Sequence, residues 1–365
     1  MKTSRPALIF ALLLAAWPLS GATTGWGAEP GRLEIVRRAI EFHIRPGFER
    51  FSNEAELAQA DMDALCAAPS PAALENARRR FASLVSAWAR IEFLRFGPLV
   101  DDNRADRIHF WPDRRGIGLR QVQRILAKQD VSAIGVQTLY GKSVAVQGLT
   151  ALEFVLFGTG ADSLDADTGD PFRCRYGATV AANLARISED LETAWNDEAG
   201  YSATLLKPGE DNQAYRTEDE ALGEIVNVMV HGFETLRDIK LQPVLGETVK
   251  KAAPRRAIFR RSGQTLAVLE GNFQSLQHLF EVSGIIDAVP EKQKWIGGSM
   301  LLEFENAQRT FDGIRLPIEQ AVKDVEQRGK LTYLVILTRS LQRLAAEQLA
   351  VAMGLAVGFS SLDGD

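Results

Sequence analysis

Apolar residues recur at three- and four-residue spacing along most of the chain, and strand-like alternation is scarce, so the pattern predicts an all-α protein. In the first half the periodicity places helices over 55–66, 72–96, 118–128, 144–157 and 178–197. Ser70-Pro71 forms an entry to the second of these, with Ser70 as cap and Pro71 in the first turn. Gly97-Pro98 closes it, because proline has no N–H to donate and pushes the residue before it out of helical geometry. The following stretch, "LVDDNRADRIHFWPDRRGIG", is a charged loop that nevertheless carries Phe110 and Trp111. A polar interval over 198–217 separates the halves, and beyond it helices are predicted near 218–238, 257–283, 299–325 and 329–353. Each half supplies about four long amphipathic helices, enough for a bundle, and no fixed-period repeat points to a solenoid. The expected organisation is two packed helical-bundle domains, 29–200 and 201–365.

The N-terminus follows a different logic. Lys2 and Arg5 precede an apolar run from Ala7 to Trp17, and Ser20-Gly21-Ala22 supplies small residues at its exit. That order describes a secretory signal peptide over 1–22, with cleavage after Ala28 as the alternative. The run is shorter than the ~20 residues a membrane span needs, and no later segment reaches that length. No cysteine stands at the exit for lipid attachment. The mature chain is therefore expected in the periplasm.

A hydrophobic share of 46%, a charged share of 24% and a formal net charge of −5 give no general attraction to nucleic acid or anionic lipid. The runs Arg78-Arg79-Arg80 and Arg255-Arg256 with Arg260-Arg261 read as solvated helix faces. Export bears on the two cysteines: in an oxidising compartment Cys66 and Cys174 are expected to pair, with two unpaired core thiols as the alternative. No nucleophile elbow or phosphate-cradling glycine loop occurs.

Several segments together, "AWARIEFLRFGPLV", "HFWPDRRGIGLRQV", "VQGLTALEFVLFG", "LRDIKLQPVLG" and "GLAVGFSSLDGD", resemble the imelysin-like family of exported bacterial proteins. The resemblance covers nearly the whole mature chain. It implies a double helical bundle, a periplasmic location and an association with iron uptake, with periplasmic or outer-membrane iron-uptake components as partners. Iron or another divalent metal is the cofactor it suggests. The peptidase-like branch carries Gly-x-His-x-x-Glu on a helix, whereas here the segment runs Gly148-Leu149-Thr150-Ala151-Leu152-Glu153. Histidine and glutamate three apart share one helix face and can ligate one metal. A threonine hydroxyl brings neither imidazole nor charge, so this chain resembles a branch that keeps the scaffold without the metallopeptidase motif.

Glu153 stands on a narrow polar stripe, Gln147-Thr150-Glu153, of an otherwise apolar helix. Three readings follow: a buried carboxylate paired with Arg95, Arg107 or Arg120, a ligand-binding group, or simple exposure. Trp111 and Asp113 belong either to a bundle plug with a helix cap or to a polar-aromatic pocket between domains. The candidate ligand-binding set is Glu153, Thr150, Gly148, Arg95, Trp111, Asp113, Arg120 and His43. His43 also admits a packing role. Two further pairs, His231 with Glu234 and His278 with Glu281, have ligand spacing and would form one metal site if their helices faced each other. The terminal "GFSSLDGD" lacks most of a calcium loop and reads as a docked tail. The expected function is binding of a metal-linked ligand or partner in iron uptake, without peptidase activity. The alternatives are a divergent metallopeptidase and a structural interaction module.

Overall fold

The computed structural model describes residues 30–166 and 169–355; the expected signal peptide and residues 356–365 of the tail lie outside these. Among the described residues all regular structure is helical, as the periodicity predicts. The principal helices are α1 (Arg32–Ala39), α2 (Arg45–Ala67), α3 (Pro71–Ala89), α4 (Ile117–Lys128) and α5 (Leu149–Phe157). They continue with α6 (Pro171–Asn196), α7 (Glu218–Glu234), α8 (Thr265–Ser283), α9 (Trp295–Asp312) and α10 (Val325–Arg343). None of the described helices is long and apolar enough to cross a membrane.

In the first half, α2 packs along α6 and α3, and α5 lies against α6 and α3. Ser70 Oγ accepts from the Ala73 N–H at 3.2 Å, so the cap read from the sequence is formed. Phe48 stacks on Trp195 and Phe51 meets Trp88 at a tilt, at 5.9 and 5.4 Å between centroids. Cys66 at the end of α2 and Cys174 in the first turn of α6 are joined by a disulfide, with Cα atoms 5.6 Å apart. In the second half, α7, α9 and α10 pack together, with α8 against α9.

The chain start departs from the simple division at residue 200. Helix α1 packs on α7 and α8 of the second half, and a π-helical turn, Ile40–Ile44, carries the same rod into α2 of the first. The sequence periodicity placed a helix only over 55–66, whereas the helical rod runs from α1 through Pro46. The carbonyl four residues before it belongs to Phe42, inside the widened π turn, so the rod passes the proline. The predicted helix over 257–283 begins only at Thr265, after a compact turn segment.

Candidate functional site

Helix α5 buries Leu149, Ala151, Leu152, Phe154, Val155 and Leu156, and with them Glu153, which is 3% exposed. Its entry depends on Gly148, where an added Cβ would stand 2.3 Å from the carbonyl oxygens of Arg107 and Ile108. Gly148 is thus a packing residue at the helix N-cap. Gln147, wholly buried, fixes the same junction: its amide nitrogen donates to several carbonyls, among them Lys142 at 3.0 Å, and its oxygen accepts from Arg107 at 3.2 Å.

Among the described residues Glu153 makes no ion pair with an arginine. Its Oε1 accepts from the Ser262 backbone N–H at 3.0 Å and from Ser262 Oγ at 2.9 Å. Burial pushes the carboxyl above its ordinary value, while the Ser262 bonds and the charges of Arg261 and Arg260 pull it back. The expected partners Arg95, Arg107 and Arg120 are turned to other surroundings. Arg107 donates to the carbonyls of Asp102 and Tyr140, Arg120 to the carbonyl of Arg115, and Arg95 is exposed. The carboxylate therefore ties α5 to a segment of the second half.

Beside Glu153 lies a cavity of about 780 Å³. One wall comes from the first half, with His109, Trp111, Asp113, Thr150 and Glu153, and the other from Ile239 to Arg261 of the second. Four of the eight candidate ligand residues, Glu153, Thr150, Trp111 and Asp113, meet here. Asp113 also caps α4, accepting from the Ile117 N–H at 2.7 Å, so cap and pocket wall are one residue. Gly148, Arg95, Arg120 and His43 are not among the lining residues. His43 belongs elsewhere: its Nδ1 faces Nδ1 of His278 at 3.0 Å where the π turn packs on α8.

The second wall holds what sequence reading missed. Arg255, Arg256, Arg260 and Arg261 lie on turns before α8, not on a solvated helix face, and with Arg114 they line the cavity. Buried Ala257, Ile258 and Phe259 anchor the segment between the two arginine pairs. The one available signal was that apolar tripeptide flanked by paired arginines. His109, also missed, is 2% exposed and stacks between Phe259 at 4.6 Å and Trp111 at 6.2 Å. Burial, then the charges of Lys240 and Arg95, pulls it well below its ordinary value, so the ring is neutral.

Metal chemistry fits this donor set poorly. Among the described residues no group of three or more His, Cys, Asp or Glu side chains is disposed to hold an ion. Thr150 Oγ1 donates to the Phe110 carbonyl at 3.4 Å, and five arginines line the cavity against two carboxylates, Glu153 and Asp113. The four-ligand site imagined from His231, Glu234, His278 and Glu281 does not assemble. His278 turns to His43 and Glu281 accepts from Gln277, while His231 Nε2 and Glu234 Oε2 stay buried and without partners on α7.

Residues 44–348 match the protein family described as Imelysin, Peptidase_M75. The chain is 23% identical over 283 residues to Iron-regulated protein A of Synechococcus elongatus, covering 74% of this chain and 72% of that one. An imelysin-like protein of Psychrobacter arcticum of known crystal structure superposes with a TM-score of 0.74 at 19% identity, over 90% of this chain and 97% of that one.

Proposed function

This chain belongs to the imelysin family, and from that premise we propose that it is an exported, iron-related binding protein without peptidase activity. Its ligand, a metal-linked small molecule, occupies the cavity between the halves. The observation that carries this reading is that the cavity opens at Thr150 and Glu153, the positions of the peptidase-like motif, yet presents arginines where a catalytic metal would need ligands. The similarity to Iron-regulated protein A supports the link to iron. Export follows from the N-terminal sequence, and periplasmic or outer-membrane iron-uptake components are the partners such a protein would serve.

The experiment is purification of the mature protein from the periplasm of cells grown with and without iron. Elemental analysis should find iron with the protein, and peptide substrates should survive. Chelator-sensitive cleavage, abolished in Glu153→Gln, would instead establish the divergent metallopeptidase. Protein free of metal and ligand under both conditions would leave an interaction module.

A further inference from the structure

We propose that the cavity recognises a small organic polyanion, held by the guanidinium forks of Arg255, Arg256, Arg260 and Arg261. The inference rests on reading this cavity as the ligand site and adds the chemical class of what enters it. Four guanidinium groups from seven consecutive residues converge on one wall, and none of them closes an ion pair or a side-chain hydrogen bond among the described residues. Two other partly buried arginines show the contrast. Arg173 donates to the carbonyls of Phe154, Val155 and Thr159, and Arg80 pairs with Glu54 and Asp61.

Like charges brought together on a wall where Arg260 and Arg261 are half-buried repel one another, and a bound anion removes that cost. Burial and the neighbouring Arg260 already pull the Arg261 guanidinium below its ordinary value, although Glu153 opposes this. Glu153 offsets one charge only. A guanidinium presents paired N–H groups whose spacing matches a carboxylate or phosphate edge.

A second observation comes from the opposite wall. Trp88 Nε1 lies 3.3 Å from Nδ1 of His109, and an indole N–H only donates, so Nδ1 accepts. The neutral ring then carries its proton on Nε2, and that atom is buried with no partner among the described residues. An unpaired buried donor favours an acceptor, and an anion's oxygen is one. Volume and lining decide between an inorganic and an organic anion. About 780 Å³ is far more than a single phosphate fills, and Trp111, Ile239, Pro243 and Phe259 offer apolar contact. A polycarboxylate with a carbon framework, free or chelating ferric iron, meets these demands.

The test is titration calorimetry of the mature chain at low ionic strength with citrate, its neutral trimethyl ester and inorganic phosphate. Citrate should bind, the ester should not, and phosphate should bind at least about tenfold more weakly. Arg260→Gln/Arg261→Gln should weaken citrate by about tenfold or more at unchanged melting temperature, and added salt should weaken it further. Arg255→Gln/Arg256→Gln, on exposed positions, repeats the measurement where folding is not at risk. Ester binding as tight as citrate, phosphate equal to citrate, or affinities unchanged in both variants would overturn the proposal. Ferric citrate bound equally by wild type and both variants would sink the polyanion inference and leave the iron reading standing. Citrate binding as expected, with the ferric form rejected, would do the reverse.

Discussion

At Gly148 the backbone of α5 passes so near residues 107 and 108 that any side chain must displace main chain rather than a mobile side chain. Gly148→Ala should therefore lower stability by about 1–3 kcal/mol, as overpacking does, and a denaturant melt reads it. Five residues on, Glu153→Gln keeps an oxygen for the two Ser262 donors and should cost little. Glu153→Ala leaves the Ser262 N–H unsatisfied and opens a void, so about 1–3 kcal/mol more is expected. Equal melts for the two variants would refute the Ser262 tie. Thr150, Glu153, Trp111 and Asp113 were legible because they lie on family-like segments around an anomalous polar stripe. The arginines were not. "RRAIFRR" has the spacing of a helix face, and only tertiary packing of Ala257, Ile258 and Phe259 turns it into a cavity wall. Ser262 was equally invisible, since its partner lies 109 residues away.

The rod formed by α1, the π turn and α2 is the element least readable from sequence. Its histidine gives it a pH dependence. His43, 7% exposed, is pulled down to about 3, chiefly by burial and then by the nearby His278 and Arg90. His278 is lowered too, by burial first and then Arg90, with Glu281 opposing. His43 stays neutral in the fold while the unfolded chain takes up protons below its histidine pKa of about 6.5. Its contribution is complete above that pH and is lost as pH falls towards 3, and the lowered His278 acts in the same direction. Denaturant midpoints should drop on acidification through this window, and His43→Gln should flatten the slope. An unchanged slope would contradict the buried His43–His278 contact. The α2–α6 disulfide was readable from the expected export and the cysteine count. It closes a separation of 108 residues, for which loop entropy gives about 4.7 kcal/mol. Reduction should lower the melting temperature accordingly, and an unmoved melt would show the bond unformed or without effect.

At the scale of the molecule, the halves are clamped by a buried polar cluster that no periodicity could announce. Lys240 Nζ donates to Glu92 and, at 2.6 Å, to Asn272 Oδ1, while Asn272 Nδ2 donates to the Ala89 carbonyl at 2.6 Å and to Glu92 at 2.7 Å. Glu92 follows α3 in the first half; Lys240 and Asn272 belong to the second. With side-chain exposures of 1% and 5%, the ion pair is dry. Lys240→Met should cost about 3–5 kcal/mol by stranding the carboxylate, and adding Glu92→Leu should recover most of it. A double variant no better than the single would show that the pair does not act as a unit.

This clamp, the Glu153–Ser262 tie and the rod hold the two walls of the cavity in one register, and the central claim is that an iron-linked ligand sits between them. Anomalous diffraction at the iron edge from crystals soaked with ferric citrate tests it. The account predicts one iron peak inside the cavity, between Glu153 and the Arg260–Arg261 wall. A peak at His231 and Glu234, or none in the cavity at full soak, would contradict it.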